Sequence, residues 1–279
     1  MHFLYNSFLK IHTLSIDTAL GACAGSLFIA KLLKVTLPII DVTLLFLCTL
    51  IIYLFDHLID ASTIKSDALT LRHRFFQTYH RSLKIIALTL SLLAIILLPF
   101  LSVNILITGS AICAFVVIYF FILYWQKPKQ IYFKEVMIAF IYCVGIFCSP
   151  VVHSIYQISI PFILLFCHFL MMAMSNLILF AYFEHHIDTA ENHPSIVRYI
   201  GRKKSFTIAI FFSLLLIVLD IVIGLLFSNI LAFIILVMMP LSIFFILSFK
   251  DFFKKNGLYR LIGDGIFILP IIYLFIYGL

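Results

Sequence analysis

The chain has 279 residues, of which 64% are hydrophobic and only 11% charged, with a mean hydropathy of +1.20. That balance leaves too little polar surface to coat a water-soluble body, so soluble folds are excluded and a polytopic membrane bundle is expected. The net charge of +7 and the pI near 9.1 follow from basic loops on one membrane side, and they call for no nucleic-acid partner.

A transmembrane helix needs about 20 mostly apolar residues. Nine stretches qualify: 13–33, 36–55, 83–102, 104–124, 135–153, 158–181, 206–227, 229–249 and 262–278. Short turns such as PFLSVN (99–104), HSIYQIS (153–159) and SNI (228–230) alternate with polar loops at 56–82, 125–134, 182–205 and 250–261. The expected fold is all-α: a single domain over 1–279, with nine transmembrane helices around a central apolar cavity. The first apolar stretch runs the length of a full span and has no small-residue cleavage site, so it reads as a helix, with no cleaved signal expected. Six cysteines lie scattered in apolar segments without a CxxC pair, which reads as small buried hydrophobes.

Seventeen of the nineteen basic residues fall on one side, from Lys10 through the four polar loops to Arg260, and only Lys31 and Lys34 fall on the other. By the positive-inside rule the N-terminus and the long loops are cytoplasmic and the C-terminus lies across the membrane. In a bacterium this would be a multi-pass protein of the inner membrane.

Five of the twelve acidic residues cluster in two places. YLFDHLID (53–60), after the second span, sets Asp56 and Asp60 at i, i+4. NLILFAYFEHHIDTAEN (176–192), after the sixth span, sets Glu184 and Asp188 at the same spacing, followed by Glu191. Each pair projects two mutually repelling carboxylates from one helical face, and both lie on the cytoplasmic side. Asn176 precedes Glu184 by two turns on a similar face. Two facing oxygen-rich pairs make a cage for a hard divalent cation, Mg²⁺ above all, which completes its shell with water and substrate phosphates. Lys65, Arg72, Arg74, Lys134 and Arg198, in or beside the same loops, are candidates to hold phosphate oxygens. The pattern suits a lipid diphosphate, with its anionic head at the cytoplasmic rim and its tail between helices. The plainer reading is that acids at helix ends are ordinary; two matched pairs on one face, in a chain this poor in acids, favour function.

The chain resembles the UbiA superfamily of intramembrane prenyltransferases over essentially its whole length. The family's first motif, N-D-x-x-D-x-x-x-D, is matched by IYLFDHLID (52–60): Asp56 and Asp60 fit, while Ile52 and Tyr53 stand in place of the leading Asn and Asp. The second motif, D-x-x-x-D, is matched by Glu184 and Asp188. DTAENHPSIVRYIG (188–201) looks like the run that follows it, and YWQKPKQIYFKE (124–135) is similar to the basic loop before the fifth helix, with Lys134 where a diphosphate-contacting lysine would sit. The resemblance implies Mg²⁺-dependent ionisation of a prenyl diphosphate, with Asp56, Asp60, Glu184 and Asp188 as metal ligands, and capture of the allylic cation by an aromatic or lipid-soluble acceptor. No obligate protein partner is evident. Tyr53 has two readings, a phosphate or acceptor contact and a tyrosine of the interfacial belt.

Other residues are read more plainly. Six of the ten histidines (His57, His73, His80, His185, His186, His193) lie in or beside the motif loops, but the repeated HxxxH blocks of a membrane di-iron oxygenase are missing. Gly21-x-x-x-Gly25 permits close helix packing. Arg260 and Asp264, four apart, are expected to pair with each other. Asp220 has no partner nearby in sequence and reads as structural; Asp17 and Asp41 are given no role. Two alternatives to prenyl transfer stay open: a terpene cyclase that uses the same ionisation step, and a non-catalytic isoprenoid-lipid binder or transporter.

Overall fold

Wherever the sequence is apolar over a bilayer's depth, the chain is helical in the computed structural model, which describes residues 12–64, 67–125, 134–154, 159–191 and 194–278. In chain order the helices are α1 (Ile16–Leu32), α2 (Ile39–Thr63), α3 (Leu71–Thr78), α4 (His80–Leu97), α5 (Val103–Trp125), α6 (Lys134–His153) and α7 (Ile160–Ala190). They continue with α8 (Ile196–Ile200), α9 (Arg202–Phe227), α10 (Ile230–Ser248), α11 (Lys250–Lys254), α12 (Leu258–Gly265) and α13 (Pro270–Tyr277). Among the described residues, eight segments are long and apolar enough to cross a membrane, α12 and α13 together forming the last of them. With α1, whose 17 residues fall just short of the usual length, each of the nine expected spans finds a helix. The chain is an all-α, multi-pass membrane protein.

Local sequence explains the helix ends. Pro38 and Pro161 sit where a missing N–H is harmless, at the starts of α2 and α7. Thr70 accepts the His73 N–H at the start of α3, and Asn229 accepts the Ala232 N–H at the start of α10. Two boundaries differ from expectation in a way that matters. The spans ending near residues 55 and 181 carry on as helix to Thr63 and Ala190. Neither stretch contains a Pro or Gly to stop it, and in α7 the first breaker is Pro194. At 25 and 31 residues, α2 and α7 are about 37 and 46 Å long, against a hydrocarbon core of about 30 Å. Both are therefore longer than the lipid is deep, and their continuations past residues 55 and 181, about two turns each at the basic end of the bundle, are helix where polar loop was expected.

The bundle is built around α7, half of whose membrane-depth window is buried inside the protein. It packs on α6, α9, α10 and α12, with Leu165, Phe169, Met172 and Leu179 fully enclosed. Lipid is as apolar as leucine, so close packing and polar contacts between helices hold such a bundle rather than transfer out of water. The close approaches are visible at glycine: a Cβ on Gly21 would lie 2.8 Å from the Phe267 Cβ, and one on Gly263 2.5 Å from the Phe180 ring. These contacts seat α12 against α7, and the segment joining α12 and α13 against α1.

Polar contacts pin the helices at depth. Asp220 of α9 meets His168 of α7, with Oδ1 2.6 Å from Nδ1 and both side chains wholly buried. This is the distant partner the sequence did not offer. At the end opposite the basic loops, Asp41 of α2 takes the Ser149 hydroxyl at 2.6 Å and His153 Nε2 at 2.8 Å, tying α2 to α6. Removing one member of a buried pair strands the other without water. His168→Leu should therefore destabilise the bundle by about 3–5 kcal/mol, with much of that recovered in the His168→Leu/Asp220→Leu double variant. Thermal unfolding of the detergent-solubilised single and double variants checks this, and a double-variant loss equal to the sum of the two single losses would assign the pair no coupling.

Candidate active site

The helical extensions of α2 and α7 bring their acids to one place. Tyr53, Asp56, Asp60, Asn176, Glu184 and Asp188 all line a single cavity of about 140 Å³ at the basic end, together with Arg72, Lys134 and Arg260. Its mouth is charged, and its inner wall is apolar, formed by Ala139, Tyr142, Ala173, Phe180 and Phe267 among others. Tyr142 and Phe267 meet edge to face, with centroids 5.4 Å apart.

Each acidic pair is met by an internal cation. Lys134, the first residue of α6, is buried with its ammonium 2.9 Å from Asp56 Oδ1 and 2.8 Å from both oxygens of Asp60. Arg260 of α12 grips Glu184 with two nitrogens: Nη2 donates to Oε2 at 2.6 Å and to Oε1 at 2.7 Å, while Nε donates to Oε1 at 3.0 Å. The Tyr259 hydroxyl adds a fourth bond to Glu184 at 2.9 Å. Stacking fixes this clamp, since Tyr259 lies flat on Phe183 at 4.4 Å and the Arg260 guanidinium sits 4.7 Å over the Phe180 ring. Arg260 thus pairs across the bundle with Glu184. The expected local pair with Asp264 does not form, because the α12 face that carries Arg260 is docked on α7. Asp264 instead lies 3.6 Å from His12, which holds Asp17 at 2.6 Å.

Arg72, on α3, lines the cavity and makes no ion pair or hydrogen bond among the described residues. Burial and the neighbouring Arg260 guanidinium push its pKa below the ordinary guanidinium value. Two like charges crowded at one cavity wall favour an anion between them. Two further acids brace the mouth: Glu135 Oε1 accepts the Ile196 N–H at 2.9 Å, and Glu191 Oε1 accepts the Leu69 N–H at 2.6 Å. The segments after α2 and after α7 are thereby tied together.

Of the remaining residues singled out in the sequence, Arg74 turns away, donating from Nε to the Ala68 carbonyl at 3.2 Å. Arg198 reaches the backbone oxygen of Asp188 at 3.4 Å and does not line the cavity. Lys65 and His193 lie outside the described residues. Sequence reasoning missed Arg260, Tyr259 and Asp264. Arg260 carries a signal that was open to reading, being a cation beside a span that needed a cross-bundle partner for four clustered acids.

The donor set suits a hard cation. Among the described residues, six carboxylates line the cavity (Asp56, Asp60, Glu135, Glu184, Asp188, Asp264) against three cations (Arg72, Lys134, Arg260), an excess of acid that a hard cation can offset. Ligand atoms of Asp56, His57 and Asp60 lie within 4.8 Å of one another. The Asn176 side-chain oxygen is buried without a hydrogen-bond partner. Oxygen donors with one neutral amide match the preference of Mg²⁺.

No family model and no curated protein sequence matches the chain. Solved structures do. A UbiA homologue from Aeropyrum pernix K1 superposes with a TM-score of 0.69 at 12% identity, covering 95% of this chain and 98% of the other. A UbiA homologue from Archaeoglobus fulgidus, solved bound to DMAPP and Mg²⁺, gives 0.65 at 9% identity over 96% and 99%. A digeranylgeranylglyceryl phosphate synthase gives 0.57 at 15% identity over 95% and 98%. Identities this low speak for the path of the backbone and for nothing finer, and on that ground the chain has the fold of the UbiA superfamily.

Proposed function

We propose that the chain is an intramembrane prenyltransferase, moving a prenyl group from a prenyl diphosphate to an aromatic or lipid-soluble acceptor at the cytoplasmic end of the bundle. The observation that carries this reading is the convergence of Asp56 and Asp60 from α2 with Glu184 and Asp188 from α7 on one cavity that also holds Arg72, Lys134 and Arg260. The fold shared with a homologue bound to DMAPP and Mg²⁺ supports it.

The residues divide the work by their existing partners. Both oxygens of Glu184 are engaged by Arg260 and both oxygens of Asp60 by Lys134, so Asp56 and Asp188 are the acids best placed to hold Mg²⁺, with Asn176 Oδ1 as a neutral donor and Asp60 and Glu184 able to join only by releasing their cations. Bound there, Mg²⁺ would supply Lewis-acid withdrawal of charge from the departing diphosphate. Arg72, without a carboxylate partner, receives the diphosphate first. Lys134 and Arg260, already oriented by acids, add fixed positive charge where the leaving oxygen develops its own. The C1–O bond then breaks, its electron pair leaving with the diphosphate, while the allylic carbon faces the apolar wall. The ring faces of Tyr142, Phe180 and Phe267 attract a cation, and the apolar side chains around them limit the water that would quench it. The acceptor's electron pair closes on the cation and a proton is lost. Tyr53, where the family motif has an acid, contributes a hydroxyl but no charge to this end of the cavity.

Pyrophosphate release from geranyl, farnesyl and geranylgeranyl diphosphate, measured with Mg²⁺ on the purified protein, tests the reading. Asp56→Ala and Asp188→Ala should abolish release while the melting temperature holds, and chelation of divalent ions should do the same to the wild type. Unchanged turnover in both variants would reject the site. Binding of the diphosphates with no release by the wild type would favour the lipid binder, and a cyclic hydrocarbon in the organic extract the cyclase. A graded effect is expected at Arg72→Gln, where loss of one preorganised cation should lower kcat about 100-fold; steady-state kinetics at saturating substrate reads it, and a kcat within a factor of two of wild type would remove Arg72 from the reaction.

A further inference from the structure

A second charged groove lies on the same side of the bundle and shares no lining residue with the acid cavity. It measures about 760 Å³ and is lined by Tyr182 of α7, Arg202, Lys203, Lys204, Phe206, Thr207 and Ile208 of α9, and Lys250 of α11. Among the described residues, four cations and no acid face it. None of the four is ion-paired with a carboxylate among the described residues. Their present partners are weak: the Arg202 guanidinium lies 4.7 Å over the Tyr182 ring and 3.4 Å from His186 Nε2, and the Lys250 ammonium lies 5.8 Å from the Phe206 centroid. The first turn of α9 has no side-chain cap, so its N–H dipoles add to the positive potential.

The groove is amphipathic along its depth. Beneath the cationic rim Phe206 and Ile208 form an apolar wall, and the same helix continues downward with Phe211, Leu214, Leu215 and Val218 exposed on its lipid-facing flank. A soluble anion would use the rim and leave the wall bare. A phospholipid uses both, with phosphate among the cations and acyl chains along α9. Basic recesses between transmembrane helices at the cytoplasmic surface suit anionic headgroups in this way.

We propose that Arg202, Lys203, Lys204 and Lys250 form a binding site for the phosphate of an anionic glycerophospholipid, with headgroups carrying two negative charges held more tightly than those carrying one. The site stands apart from the acid cavity, and it holds whether or not that cavity transfers a prenyl group.

Native mass spectrometry of the full-length protein in neutral detergent tests it, using dioleoyl phosphatidic acid, phosphatidylglycerol and phosphatidylcholine as the titrated lipids. Phosphatidic acid should bind most tightly and phosphatidylcholine least. The variant Lys203→Gln/Lys204→Gln/Lys250→Gln should lose about a hundredfold in affinity for phosphatidic acid. The control Arg81→Gln/Lys84→Gln/Lys255→Gln removes the same charge from other exposed basic positions and should lose less than threefold. Lipid-free melting curves like the wild type's confirm that both variants are folded. Equal losses in the two variants would reduce the effect to general surface attraction and overturn the proposal. Phosphatidylcholine binding as well as phosphatidic acid, or inorganic phosphate at equal concentration displacing the lipid, would overturn it too.

Discussion

Four carboxylates held together at the edge of a membrane must be neutralised by something, and the structure is organised around how that is done. Lys134 spans Asp56 and Asp60, and Arg260 closes on Glu184. Each cation comes from a different helix than the acids it serves, so the same contacts that balance charge also decide which helices pack. α6 is drawn to α2 through Lys134, and α12 to α7 through Arg260, with Tyr259 and Phe183 stacked beside it. Isolated, any of these charges would be costly so near the hydrocarbon. Paired, they form a rigid rim. Among the described residues, six lining acids outnumber three lining cations, and under the proposed function a bound Mg²⁺ would offset the excess.

Long helices make the arrangement possible. The acids stand on the two-turn continuations of α2 and α7, at the basic end of the bundle and still part of the same helices. Depth contacts such as His168 with Asp220 and Asp41 with Ser149 and His153 fix the rotation of those helices about their axes. A twist of α7 by one residue would turn Glu184 away from Arg260, so packing at mid-membrane sets the geometry at the rim. The glycine contacts serve the same end. Gly263 lets α12 approach Phe180 and Asn176 closely enough for Arg260 to reach across.

Much of this was legible in the sequence for definite reasons. Hydropathy counts membrane spans because lipid demands a closed backbone hydrogen-bond ladder, and among the described residues each of the nine apolar stretches is helical. The i, i+4 spacing of Asp56 with Asp60, and of Glu184 with Asp188, survives into the structure because nothing in those stretches breaks a helix. Lys134 was legible as a cation beside the motifs, but its bond to Asp60, 74 positions away, was not. Arg260 was misassigned for the same reason: a partner four residues away is visible on paper, while Glu184, 76 positions away, becomes its partner only through the docking of α12. Arg74 and Arg198 sit in the right segments, but their side chains serve nearby backbone carbonyls, and charge alone does not reveal that.

Under the proposed function, the acids of α2 and of α7 form one cation site rather than two independent clusters. Equilibrium binding of Mn²⁺, followed by electron paramagnetic resonance on the purified protein, measures this without reference to turnover. Asp56→Asn and Asp188→Asn should each weaken binding, and the double variant should bind no more weakly than the worse single one, as for groups that act on a shared ligand. Strictly additive losses, or binding left intact by either substitution, would mean that the two helices do not share a cation.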